Sequence, residues 1–134
     1  MRTHLFFNRQ RGFTLIELLI VVLIAGVLAR IAYGSYSTSV AKGRRNAAQG
    51  CVMELAQYME RVYTTSMSYA GTTLPSSQCQ TDLSTYYSFS IPSATASAFT
   101  VQASATGTQA TRDSACTPLT VDQTGARTPA SGCW

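Results

Sequence analysis

Seventeen residues from Phe13 to Ala29, FTLIELLIVVLIAGVLA, carry one charge, Glu17, and follow directly on a polar, basic tail that ends at Gly12. As a helix this run rises about 26 Å, and continuing past Arg30 through Tyr33 brings it to the roughly 30 Å thickness of a bilayer core. An ordinary secretory signal shares the basic tail and apolar run, with Ala25-Gly26-Val27 or Val27-Leu28-Ala29 as its small-residue cut. Two features oppose removal of the run: the glycine at its start and the carboxylate inside it. A carboxylate in a membrane helix costs roughly 2.5–3.5 kcal/mol, so Glu17 needs a partner or a purpose unless it snorkels or is protonated.

The chain has 134 residues, a length that suits one domain, and a net charge of +4. That charge belongs mainly to the tail with Arg2, Arg9 and Arg11: residues 13–134 hold seven Lys+Arg against six Asp+Glu, or +1. A globally basic nucleic-acid binder is not supported. The 46% apolar content argues against disorder. His4, the only histidine, sits in the tail, which argues against enzymes that rely on histidine. The acids are scattered, the serines have no evident activating base, and phosphate-loop patterns are missing, so an enzyme is not expected.

Arg11-Gly12-Phe13-Thr14-Leu15-Ile16-Glu17 resembles the class III signal of type IV prepilins. The resemblance implies cleavage by a prepilin peptidase between Gly12 and Phe13, N-methylation of Phe13, and retention of the apolar run, first in the inner membrane and later in a filament core. It also gives Glu17 a role. The freed amine of Phe13 is cationic, and Glu17 can pair with the amine of a neighbouring subunit, offsetting desolvation and setting register.

Beyond Gly34 the pattern becomes one-sided. Val40, Ala47, Cys51, Leu55, Tyr58 and Val62 form a helical stripe, with Glu54, Gln57, Glu60 and Arg61 largely on other faces. Many pilins carry proline where this chain has Gly34, which puts the usual kink in doubt. Lys42, Arg44 and Arg45 are the one basic cluster left after residue 12. They read as a solvated face, as a contact between subunits, or as a weak, salt-sensitive DNA contact. Arg2, Arg9 and Arg11 favour a cytoplasmic N-terminus, but the bases beyond the run leave orientation unsettled by charge alone.

Cys51, Cys79, Cys116 and Cys133 contain no Cys-x-x-Cys pair. With no histidine after the tail, a zinc site is disfavoured, and neither a metal nor another cofactor is expected. An even count in a small exported head reads as two disulfides, with three possible connectivities, and places the head in the periplasm or outside the cell. Residues 64–85 are turn-rich. Tyr87/Phe89/Ile91, Phe99/Val101/Ala103 and Leu119/Val121 then alternate with polar neighbours as strand candidates, broken at Pro92, Gly107 and Gly125.

This order resembles the type IV pilin fold, an α+β architecture with a long N-terminal helix packed on three or four antiparallel strands. Gly50–Arg61 and Cys116–Trp134 resemble the corresponding segments of PilE-like minor pilins, and the resemblance implies pairing of Cys51 with Cys79 and Cys116 with Cys133. The expected organisation is a cleaved leader, 1–12; a transmembrane and filament-core helix, 13–34; and a head, 35–134, with helix 35–64, loop 65–85 and sheet 86–134. The implied partners are other pilin subunits, the prepilin peptidase, the inner-membrane assembly machinery and, before assembly, the membrane. The implied role is a low-abundance pilus subunit supporting assembly, and through it motility, adhesion or DNA uptake. A competence pilin that contacts DNA through Lys42, Arg44, Arg45, Arg112 and Arg127 is the alternative. A type II secretion pseudopilin ranks last, because Asp113 and Asp122 are the only acids after Asp82 to hold a calcium ion.

Overall fold

The computed structural model describes residues 12–130 and 132–134; expectations placed on the leader before Gly12 lie outside the described residues. The chain divides into two units at Tyr36/Ser37. The first is helical from Leu15 onward, as the opening stretch of α1 (Leu15–Ser66). Helix starts where Thr14 can cap it: the Thr14 hydroxyl accepts the Glu17 backbone N–H at 3.3 Å. This is half of a Ser/Thr-x-x-Glu capping box, which also sets a carboxylate beside the positive end of the helix. The helix continues through Gly34 without interruption.

The second unit holds the rest of α1, α2 (Gln78–Leu83), β1 (Tyr87–Ala94), β2 (Phe99–Ala105), α3 (Gly107–Arg112), a 3-10 turn (Ser114–Cys116), β3 (Leu119–Asp122) and β4 (Arg127–Thr128). The strands form one antiparallel sheet in sequence order. Short connections between β1 and β2 and between β3 and β4 favour that order. Phe99, Val101 and Ala103 of β2 and Leu119 and Val121 of β3 are buried against Ala48, Cys51, Val52, Leu55 and Met59 of α1. Each large apolar side chain so buried contributes about 1.5–3 kcal/mol.

Four expectations need correction, the first being the break at Pro92, which lies inside β1 where the register shifts between Ser90 and Ser93. The buried stripe on α1 keeps Cys51 and Leu55 as expected but broadens to one side, taking in Ala41, Ala48, Val52, Ala56 and Met59, while Val40, Tyr58 and Val62 are half-buried and Ala47 is exposed. Both adjacent residues are small or apolar, and the contacts of the sheet choose between them. The span 65–85 is not all loop, because residues 78–83 form α2, with the Gln80 side chain accepting the Ser77 N–H at 3.2 Å. The span 86–134 is not all sheet and turn, because α3 and the 3-10 turn lie between β2 and β3. The β3–β4 turn is tied by Asp122, whose Oδ1 accepts from the Thr124 N–H and Oγ1 and from the Ala126 N–H. Gly125 supplies the left-handed φ of 78° that this turn requires.

Candidate functional site

The first unit offers a helix whose described large apolar side chains are exposed. Phe13 is 78% exposed, and the large apolar residues from Leu15 to Ile31 range from 50% to 77%. By length and composition α1 is long and apolar enough to cross a membrane near its N-terminus, with a mean hydropathy of 2.6 over its most apolar stretch. Gly12 is exposed, and Glu17 lies in the first turn of the helix. Gly12, Phe13 and Glu17 thus share one end of one exposed segment, the arrangement that a cut at Gly12 and a terminal amine near Glu17 would require.

In the second unit the basic cluster is split. Arg45 turns inward: its guanidinium donates to Asp113 Oδ1 at 2.7 Å and lies 2.8 Å from Cys116 Sγ, and both charged side chains are about nine-tenths buried. The Arg44 guanidinium lies over the Tyr86 ring, 3.7 Å from its centroid, a cation–π contact. Lys42 is exposed. Gln109, fully buried, donates to the Ala41 carbonyl at 2.9 Å and to the Tyr87 hydroxyl at 3.1 Å. These bonds hold α3 against residues 41–45, so exposed Arg112 joins Lys42 and Arg44 at the same end of the head. Burial pushes the Tyr87 phenol above its ordinary range. The Gln109 hydrogen bond opposes that shift, Asp113 adds to it and Arg45 works against it.

Arg127 stands apart, 5.3 Å from the Trp134 ring centroid, and the indole N–H donates to the Thr128 carbonyl at 3.0 Å. Sequence reading weighed Asp113 only as a calcium ligand, missing its pairing with Arg45, and missed Gln109 altogether. Spacing does not pair residues 68 apart, and a glutamine carries no motif.

The four cysteines form two disulfides, Cys51–Cys79 and Cys116–Cys133. The first ties α1 to α2; the second ties the 3-10 turn to the C-terminal segment, where Gln49 donates to the Cys133 carbonyl. Among the described residues no group of three His, Cys, Asp or Glu could hold a metal ion. A groove of about 240 Å³ beside Met53, Phe99 and Val121 carries Glu60 and Asp122. Glu60 already accepts from the Tyr69 hydroxyl, and Asp122 is committed to its turn. The Asp122 carboxyl is held below its ordinary value, first by the Thr124 side-chain bond and further by the backbone bonds from Ala126 and Thr124. It stays ionised, a structural acceptor and a poor proton donor near neutral pH.

Comparisons with known proteins place this geometry. The family described as "Type IV minor pilin ComP, DNA uptake sequence receptor" matches residues 34–120, and the prokaryotic N-terminal methylation motif matches residues 7–33. The type IV major alpha-pilin and the fimbrial protein Q of Moraxella bovis are each 46% identical over 43 residues, 32% of this chain, and the chain spans 27% of the length of each. A solved type IV pilin from Shewanella oneidensis is 35% identical over 70% of this chain and 97% of its own, with a TM-score of 0.55. The non-core minor pilin PilV of Neisseria meningitidis, 19% identical over 67% of this chain and 86% of its own at a TM-score of 0.53, shares the fold. With more than half of the chain matched by one family and nearly the whole of a 35% identical pilin covered, this chain belongs to the type IV minor pilins.

Proposed function

We propose that the chain is a structural subunit of a type IV pilus. In this reading it is made with the leader 1–12, cut between Gly12 and Phe13 by the prepilin peptidase, and N-methylated at Phe13. It crosses the inner membrane once through residues 13–34 with its N-terminus cytoplasmic, and the assembly machinery then moves it into the filament. The head, 35–134, faces the periplasm and then the exterior, where its two disulfides suit an oxidising environment. It performs no catalysis and works through contacts with other pilin subunits, so that motility, adhesion or DNA uptake depend on it only through the filament. The observation that carries this reading is the methylation motif over residues 7–33, which runs into a helix whose large apolar side chains from Leu15 to Ile31 are exposed. Mass spectrometry of sheared filaments and of membranes tests it. N-methylated Phe13 as a minor species among filament peptides is expected; an intact leader in every fraction, or a mature start beyond Ala29, would overturn it.

A second reading is favoured by the family match over residues 34–120, whose description names a DNA uptake sequence receptor. We infer that DNA, if contacted, meets the end of the head that carries Lys42, Arg44 and Arg112. Arg45 contributes little, because its charge is matched by Asp113. With about three phosphate contacts, binding would be weak and would weaken further with the third power, roughly, of the salt concentration. Gel-shift titration of the purified protein checks this, and no shift at low salt would remove DNA as a partner.

A further inference from the structure

We propose that Arg30, with Tyr33 and Tyr36, forms a phospholipid-phosphate anchor that fixes how deep the N-terminal helix sits in the membrane. This rests on the spanning reading above and goes beyond it. The uncharged run after Glu17 ends at Ala29, and Arg30 follows as an exposed cation, the first after Arg11. Phe13 to Ala29 spans about 26 Å against the roughly 30 Å hydrocarbon core, so with Phe13 at one edge of the core Arg30 comes within about 4 Å of the other edge.

Helical side chains lean toward the N-terminus. An arginine at the C-terminal end of a span therefore leans into the hydrocarbon and snorkels poorly. Its backbone must lie close to the phosphates, which makes it a sharp boundary marker. The guanidinium matches a phosphate in charge and offers paired N–H donors to its oxygens.

Tyr33 and Tyr36 are 68% and 69% exposed. They follow Arg30 at +3 and +6, winding through about a third of the helix circumference over roughly 9 Å of rise. That places two amphipathic rings at headgroup level, on the water side of the arginine. With Arg30 held there, Glu17 lies about 20 Å deeper and Phe13 about 26 Å deeper, so the anchor also positions the end of the helix that carries the cleavage and pairing residues.

The test uses the full chain with Ser35→Cys, reconstituted in vesicles of phosphatidylethanolamine and phosphatidylglycerol and labelled with a membrane-impermeant maleimide. The native cysteines are all in disulfides, and Ser84→Cys in the head serves as the reference for full access. Adding Arg30→Leu lets the apolar run extend to Tyr33 and the helix slide inward, so labelling at residue 35 relative to residue 84 should fall about tenfold, while Arg30→Lys should preserve it. An unchanged ratio in Arg30→Leu would overturn the anchor. In vesicles of galactosyl diglyceride, which lack phosphate, the effect of Arg30→Leu should largely vanish; an equal fall there would assign the anchor to water and overturn the phosphate. A separate variant, Leu23→Cys, labelled as fast as the head reference would instead overturn the spanning reading itself.

Discussion

The Arg45–Asp113 pair allows a quantitative test of how α3 and the 3-10 turn are held to α1. At 2.7 Å the two charges attract by about 6 kcal/mol at an effective dielectric near 20. Most of that is offset by the water both groups lose, so the pair itself adds little net stability. Breaking it is a different matter. Arg45→Met leaves Asp113 nearly buried, with Gln109 at 3.5 Å as its remaining side-chain donor, and Asp113→Leu leaves the guanidinium with its Nε already unpartnered.

Each single change should cost about 3 kcal/mol, the low end for buried pairs because about a tenth of each side chain remains exposed. In a head of this size that lowers the melting temperature by about 12–24 °C. The double change Arg45→Met/Asp113→Leu should cost no more than either single one, a coupling of about 3 kcal/mol. Equilibrium urea unfolding of the four proteins, with disulfides oxidised, gives the cycle. Single costs below about 1 kcal/mol, as for a surface pair, or a double cost equal to their sum, would refute the reasoning.

Three further outcomes are expected. Replacing Cys51 and Cys79 together by serine should destabilise the head by about 3–4 kcal/mol, and replacing Cys116 and Cys133 by about 3 kcal/mol, read as denaturation midpoints. Tyr87 is an acid whose native pKa lies above its ordinary value of 10.0; its contribution is therefore complete below about pH 10 and lost as the pH rises beyond, and Tyr87→Phe should flatten that alkaline decline in a pH series of unfolding curves. Gly50 is helical with open space where a Cβ would stand, so Gly50→Ala should raise head stability by up to about 1 kcal/mol, and a loss would show that the position is strained.

The parts of the fold visible in the sequence are those set by local pattern. The alternation of Phe99, Val101 and Ala103 and of Leu119 and Val121 marks core-facing positions because strand side chains have period two whatever they pack on. The apolar run is legible for the same reason, being contiguous. The face of α1 was legible only to within one residue, since Ala47 and Ala48 are chemically identical and the sheet decides between them. The two short helices escaped notice because six-residue segments such as Gln78–Leu83 and Gly107–Arg112 are too brief to show a helical period. The fate of Arg45 was hidden most completely. Nothing local separates it from Arg44, yet one is buried on Asp113 and the other lies over Tyr86, because α3 returns to α1 from far along the chain.

The contrast between the two units bears on what controls assembly. Beyond Tyr36, Met67 is the one strongly exposed large apolar side chain among the described residues, whereas Phe13 to Ile31 present a continuous exposed apolar surface. Covering that surface is worth on the order of 20–40 kcal/mol relative to water, enough to forbid a free aqueous subunit. Lipid tails cover it as well as leucine side chains do, so moving the helix from membrane to filament gains little hydrophobic free energy. The choice between the two surroundings then falls to the few polar groups on the run. On the proposed route Glu17 meets a neighbouring N-terminal amine in the filament and lacks that partner in lipid. Glu17→Val should therefore leave membrane insertion and cleavage at Gly12 intact while lowering the fraction of subunits recovered in filaments by tenfold or more, about 1.4 kcal/mol or greater at the filament step. Immunoblots of sheared filaments against membrane fractions measure that ratio. Normal recovery of the variant would mean that the carboxylate matters no more than its place beside the positive end of the helix, and that assembly is decided elsewhere.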